Sequence, residues 1–362
     1  MTDLLVIGAG PYGLAVAREA LRLGLSTTVV GRPMSFWREH MPAGMCLRSG
    51  PEWHLDPAEE LTLREFLAGD EPDPLPIARF LDYADWFTGE SGIAVREEEV
   101  VRLEPGFAAT LASGETISAR AVVAAPGVAH FGVVPEWGAG LGEHTCDLVD
   151  FATMDGARVL IVGGRQSAYE WAALLCEHGA ERVDVVHRHA VPDFAKVSWA
   201  FVDGYIESTL AQRGWWRRLS TERQQAISYE FWRVGRLTLE PWLVPRMAPD
   251  VVTPHPGTEV TGVAAGGAEV TLTLSNGTAL TADHVVFASG YRADLASVPY
   301  LAGVLDRVSV TDGYPDLTEG FETSLAGLYV TGFASTRDFG PFYGFTAGCP
   351  SAARIAVEEM TR

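Results

Sequence analysis

The chain has 362 residues, with 47 acidic against 27 basic side chains, a formal charge of −20 at neutral pH, and 47% apolar and 20% charged residues. That balance excludes disorder and coiled coil, permits a large buried core, and at ~100–200 residues per domain implies two or three domains. The acidic excess argues against nucleic acid and anionic membrane as partners, because both reward clustered Lys and Arg.

In chain order, Leu4–Ile7 is a short apolar run that opens into GAGPYG, Gly8–Gly13, followed by the helix-period stretch LAVAREALRLG and a β-branched run, Thr27–Val30. This predicts strand, glycine turn, helix, strand. Leu103–Ala124 predicts a meander that breaks at Ser113-Gly114 and ends in the buried run Ala121–Ala125. A second strand–turn–helix–strand unit then follows: Val159–Val162, GGRQSA at Gly163–Ala168, the helical YEWAALLCEHG, and Val183–His187. Residues Trp199–Met247 are rich in Trp and Arg at helical spacing and predict a helical excursion. Val270–Ala288 predicts another meander, with a hairpin turn at Asn276-Gly277. A strand at Gly327–Thr331, a Gly/Phe-rich loop and a helix at Cys349–Met360 close the chain. Two βαβ units predict two dinucleotide-binding domains, the first interrupted by the second and completed by the C-terminal segment.

Each glycine of the first turn has its own task. Gly8 allows the sharp turn off the strand, Gly10 lets main chain approach a pyrophosphate, and Gly13 lets the helix pack on the sheet. Pro11 and Tyr12 lie between them, where the helix N-terminus offers free amides and positive dipole to the phosphates. The acidic residue that ordinarily closes the second strand and binds a ribose is missing, because Val30 is followed by Gly31 and Arg32. The ribose is then held by main chain or water, or Arg32 meets a 2′-phosphate. In the second turn Gly163 and Ala168 keep the outer roles, with Gly164, Gln166 and Ser167 between them, and Arg165 stands where the close-approach glycine belongs. Its side chain either blocks a pyrophosphate or swings aside and pairs with it. Arg188 and His189 end the next strand, where a guanidinium suits the 2′-phosphate of NADPH.

No apolar run approaches the ~20 residues a bilayer needs, and the opening MTDLLVIGAG argues against a secretory leader. The four cysteines, Cys46, Cys146, Cys176 and Cys349, lie far apart without a CxxC. That argues against a dithiol redox centre, predicts no metal site, and suits a reduced, cytoplasmic protein.

These turns and the strings between them resemble the two-dinucleotide-domain flavoprotein monooxygenases: lysine and ornithine N-hydroxylases, flavin-containing monooxygenases, and a bacterial branch often labelled FAD-dependent urate hydroxylase. The likeness covers nearly the whole chain. GAGPYGL at Gly8–Leu14 resembles the FAD turn, and SFWREHMPAGMCLRS at Ser35–Ser49 resembles that branch's flavin-contacting segment, which implies contacts from Trp37, Arg38, Leu47, Arg48 and Ser49. VVAAPG, with Ala125 and Gly127, stands where the family has its return strand. FASGY, with Ser289, Gly290 and Tyr291, is similar to the family's FATGY. GLYVTGF, with Gly332 and Phe333, and FGPFYGF, with Gly340, Pro341, Gly344 and Phe345, resemble the segment that closes over the flavin ring. Gly140 and His144 keep part of the Baeyer–Villiger fingerprint, but its aromatic positions hold Gly138 and Leu148, which disfavours that subclass.

The resemblance implies an α/β fold of two Rossmann-like, three-layer domains of glutathione-reductase type. An FAD domain is expected at 1–150 and 290–362, and an NADPH domain at 151–289 with the excursion at 199–247. It further implies that NADPH reduces FAD and that dioxygen then hydroxylates a small polar or aromatic substrate, with no separate acid–base triad. Arg48 is the candidate catalytic charge. His54 and Asp56 are candidate substrate contacts, Asp338 either bonds near the flavin or caps a turn, and Trp199, Trp215, Trp216, Trp232 and Trp242 either cap the cleft or pack helices. Two alternatives stay open: a flavin oxidase, dehydrogenase or two-component oxygenase whose second domain has lost NADPH, and a non-catalytic nucleotide-binding flavoprotein.

Overall fold

A computed structural model describes residues 1–266 and 269–362. The chain runs β1 (Thr2–Ile7), α1 (Pro11–Arg22), β2 (Thr27–Val30), α2 (Ile77–Glu90), β3 (Val95–Arg96), and the meander β4 (Val100–Glu104), β5 (Ala108–Leu111), β6 (Thr116–Ala124). It continues through β7 (Glu143–His144), β8 (Arg158–Val162), α3 (Gln166–Glu177), β9 (Arg182–His187), α4 (Asp203–Ala211), α5 (Thr221–Arg236) and β10 (Val252–Pro256). The hairpin strands β11 (Val260–Gly266), β12 (Glu269–Leu274) and β13 (Ala279–Ala282) lead to β14 (His284–Phe287), β15 (Leu328–Val330) and α6 (Cys349–Met360).

The first sheet has β1 at its centre, parallel to β2 on one side and to β6 on the other, with β3 outside β2 and β15 beside β6. Leu4, Leu5, Val6 and Ile7 are all buried, the continuous apolar run that a parallel strand covered on both faces requires. One cover is α1, which starts with Pro11 at its first position and buries Leu14, Ala15, Val16, Ala17 and Ala20. Alanines on α1 and on α6 (Ala352, Ala353, Ala356) let these two helices pack closely, so the C-terminus completes the layer begun by the N-terminus.

The second sheet repeats the plan. β8 is central, flanked by β9 and β14, with β10 and β7 at the edges, and every pairing is parallel. The fold is therefore two Rossmann-like units, the second inserted between β6 and β15 of the first. The edge strand β7 brings Glu143 and His144 into the second sheet. The two crossings between units are laced together: the Val133 amide donates to the Gly290 carbonyl at 2.9 Å, and His144 Nε2 lies 3.1 Å from that same oxygen.

The helical excursion contains α4 and α5, but it also holds a short strand, Thr238–Leu239, parallel to Asp193–Phe194. Its tryptophans do not form one cap. Trp199 packs on Trp53 and Phe345, Trp215 and Trp216 pack near Phe342, Trp232 carries Arg165, and Trp242 carries Arg246. Asp338 caps a turn, accepting from the Leu317 amide at 2.8 Å.

Asp56 is structural. Its carboxylate is fully buried and accepts from the amides of Ala58, Glu60 and Leu61 at 3.1, 2.9 and 2.7 Å, with Arg18 at 3.5 Å. Burial alone would raise its pKa, but the Leu61, Ala58 and Glu60 amides, with Arg18, outweigh burial and hold it below the usual carboxylate value. His54 Nδ1 accepts from the Asp56 amide, so both residues of this string serve the loop. Asp56→Ala is expected to cost about 2–3 kcal/mol in urea denaturation, since it strands several buried donors. A loss below ~0.5 kcal/mol, the scale of an ordinary surface change, would contradict this role.

Candidate functional site

β1 and β6 end side by side, and the first glycine turn leaves from between them. Gly8 has φ +109°, and a Cβ there would sit well inside van der Waals contact of the Ala125 carbonyl oxygen. A Cβ on Gly13 would collide with the Gly8 carbonyl oxygen. Protein packing thus accounts for both glycines. It does not account for Gly10, whose backbone is ordinary extended chain (φ −84°, ψ −173°) and whose Cβ would meet nothing within 4 Å among the described residues. Gly10 borders a large cleft, and no side chain among the described residues caps α1. This bare, donor-rich surface fits a dinucleotide diphosphate.

Tyr12 ties the turn to the C-terminal loop. Its hydroxyl is shared between the carbonyls of Tyr343 and Phe345, and burial pushes its pKa well up. Nearby, the buried Thr331 hydroxyl borders the cleft with no hydrogen-bond partner among the described residues.

The second turn repeats the first with one change. Gly163 has φ +141° and presses on the Ala288 carbonyl as Gly8 does on Ala125, and Gly164 lies against the His187 ring. Arg165 occupies the position of Gly10 in the same extended backbone (φ −108°, ψ −171°), and no side chain among the described residues caps α3. Its guanidinium lies over Trp232, 5.5 Å from the ring centre. Burial first, and the charge of Arg188 second, lower its pKa. Two guanidiniums and His189 therefore border one end of the cleft, an arrangement an anion would relieve.

Both turns open onto one cleft of about 1460 Å³. A pocket for a single small ligand holds ~300–1,000 Å³, so this one accommodates more than one. The cleft lies outside the carboxyl ends of both parallel sheets, where such folds bind ligands. Pro11, Tyr12, Arg32, Trp37, Leu47 and Ser49 border it from the first unit, and Gly127, Gly332, Phe333, Gly344 and Phe345 join them. Gln166, Ser167, Ser289, Gly290 and Tyr291 border it from the second unit and its return crossing. Three expected contacts lie elsewhere. Arg38 turns outward to Asp85 at 2.7 Å, Gly340 faces the rings of Phe342 and Trp216, and Pro341 begins the turn beyond it.

Arg48 borders the cleft, but its guanidinium is engaged in holding the helical excursion. It donates to Glu240 at 3.0 Å, to the Thr238 carbonyl at 3.0 Å and to the Gly235 carbonyl, and lies over Trp199. Those partners belong to the other unit, so Arg48 is a strut across the cleft.

Sequence reasoning missed Glu170. It borders the cleft one turn beyond Gln166 on α3 and is buried with Oε1 unpartnered among the described residues, as is Gln166 Nε2. Its signal was a carboxylate inside the apolar run YEWAALL. Burial raises its pKa to about 8, against the opposing influence of Arg48.

The family model described as pyridine nucleotide-disulphide oxidoreductase matches residues 2–228. A protein of Xanthomonas campestris named FAD-dependent urate hydroxylase is 34% identical over 137 residues, 34% of this chain and 29% of that protein. A ferredoxin–NADP reductase of Ralstonia pickettii is 31% identical over 201 residues, 52% of this chain and 51% of its own. The chain thus spans about half the length, or less, of these curated relatives. Among solved structures, the ornithine hydroxylase of Pseudomonas aeruginosa superposes with a TM-score of 0.77 at 18% identity, over 99% of this chain and 98% of that one. The L-lysine 6-monooxygenase of Pseudomonas syringae gives 0.75 at 18% identity over 100% of both chains. At such identities these two superpositions speak to the fold.

Glu170 makes a prediction. Its pKa rises from 4.5 to about 8 on folding, so the neutral form is favoured in the folded state. Its contribution is fully present below pH ~4.5 and is lost as pH rises through ~8. Glu170→Gln should match the parent melting temperature at pH 5 and exceed it at pH 9. Parallel pH profiles would contradict the buried, neutral carboxyl.

Proposed function

The chain belongs to the pyridine nucleotide-disulphide oxidoreductase family, and from that membership and the cleft we propose an FAD-dependent monooxygenase. It draws electrons from NADPH and uses dioxygen to hydroxylate a small polar or aromatic metabolite. The single observation that carries this is Gly10, a glycine the protein's own packing does not need, facing a cleft shared with a second glycine turn. On this reading the flavin domain is 1–150 with 290–362, lending its edge strand β7 to the second sheet, and the NADPH domain is 151–289.

Bound in the cleft, FAD supplies hydride acceptance and dioxygen chemistry. The chain's own residues bind and shield. Main-chain amides at Gly10 and the start of α1 would hold the diphosphate. Trp37, packed on Phe80 at 5.0 Å, and Phe345, packed on Trp199 and Phe231, wall the cleft against water. Arg188 and Arg165 would hold the phosphates of NADPH, and the nearby charge of Arg188 adds to the cost of leaving the half-buried Arg165 unpaired.

Within the family the four free, separated cysteines favour oxygen as electron acceptor over a disulphide, and they suit a reduced cytoplasmic setting. The names of the urate hydroxylase and of the ornithine and lysine oxygenases support hydroxylation. One observation favours a second reading. Arg165 at the close-approach position would exclude a dinucleotide were it held over the turn, and the flavin would then take electrons from substrate or a partner reductase.

Anaerobic NADPH should bleach the flavin absorbance of the purified protein within one turnover. Flavin that stays oxidised until substrate or a reductase is added would overturn the first reading for the second. Protein that takes up no FAD would overturn both. Arg165→Ala should raise the KM for NADPH about tenfold, as expected for a lost charge-assisted phosphate contact. A fall in KM would mean that the side chain obstructs.

A further inference from the structure

The carboxylate missing after β2 is supplied from another strand. β3 lies parallel beside β2 with Val30 opposite Arg96, and the Gly31 amide donates to the Arg96 carbonyl at 3.0 Å. The chain leaving β3 therefore passes alongside Gly31 and Arg32, at the carboxyl end of the sheet, and brings Glu98 and Glu99 to the cleft wall. Glu99 Oε1 lies 3.5 Å from Arg32 Nη2, while Glu39 takes Nη1. One guanidinium thus sits between two carboxylates. The local charge is net negative, which repels a 2′-phosphate and leaves hydroxyl donors as suitable ligands. Two further groups border the same wall without partners among the described residues: Glu98 Oε2, and the hydroxyl of Tyr300, a residue 8% exposed and packed against β4.

Resting on the flavin reading above, we propose that Glu99 is the ribose acceptor of the FAD site, its carboxylate taking hydrogen bonds from the adenosine ribose hydroxyls. The carboxylate comes from the end of the strand beside β2 and does the work ordinarily done by an acid at the end of β2. Arg32 is then a neighbour of that carboxylate and takes no part in reading a phosphate.

The test is titration of the flavin-free full-length chain with three probes: FAD, FAD lacking both adenosine ribose hydroxyls, and FMN. Quenching of flavin fluorescence gives each affinity. The parent should bind FAD about tenfold more tightly than the dideoxy analogue. Glu99→Ala should bind FAD about tenfold more weakly than the parent does, lose the discrimination between FAD and analogue, and bind FMN unchanged. Should Glu99→Ala fail to fold, Glu99→Leu, which also removes both acceptor oxygens, carries the same expectation, with an unchanged melting temperature as the control. Discrimination retained in the variant, or FAD affinity within twofold of the parent, would overturn the assignment and leave the flavin reading intact. A parent chain that binds no FAD would overturn both.

Discussion

The structure turns on one contact made twice: a main-chain carbonyl at the end of a return strand pressed against a glycine Cα at the end of the central strand. Ala125 meets Gly8, and Ala288 meets Gly163. Both glycines hold positive φ, where a side chain would be strained as well as crowded. The contact lets three parallel strands end at one level and sends the following helix off with its N-terminus toward the cleft. The α1 amides and Arg165 take their positions directly from these two packed turns, while Glu99 and Arg188 are carried by the strands that end beside them.

From that shared geometry the units diverge in charge. The first turn opens beside Glu98 and Glu99, with Arg32 neutralised between carboxylates. The second opens beside Arg165, Arg188 and His189. In a chain of net charge −20, a local cluster of guanidiniums around one turn sets up a field of its own sign. A nucleotide with unmodified ribose suits the first turn and one with an additional phosphate suits the second. On the proposed reading, this difference lets a single cleft sort FAD from NADPH.

What could be read from the sequence was local. The two βαβ units show as apolar runs, glycine turns and helical periods within about thirty residues each, and the observed strands match them to within a few residues at their ends. α2 is equally legible: Ile77, Phe80, Tyr83, Ala84 and Phe87 recur at helical spacing and are its buried face. The contacts that spacing does not reveal have a different cause. Arg48 sits in a string that resembles a flavin contact, yet Gly235, Thr238 and Glu240 claim its guanidinium from almost two hundred residues away. Likewise the tryptophans of the excursion share a spacing but not a neighbourhood, and Glu99 reaches Arg32 only because β3 pairs with β2 across a long excursion. Such pairings depend on sheet order, which residue spacing does not encode.

The central claim is that Gly10 is kept bare for a ligand. Gly10→Val separates that claim from folding, because the backbone there tolerates a side chain and nothing among the described residues occupies the space. The account predicts a variant that melts at the parent's temperature and is isolated without flavin, its FAD affinity lowered at least a hundredfold. A Gly10→Val protein that carries FAD with the parent's affinity would contradict it.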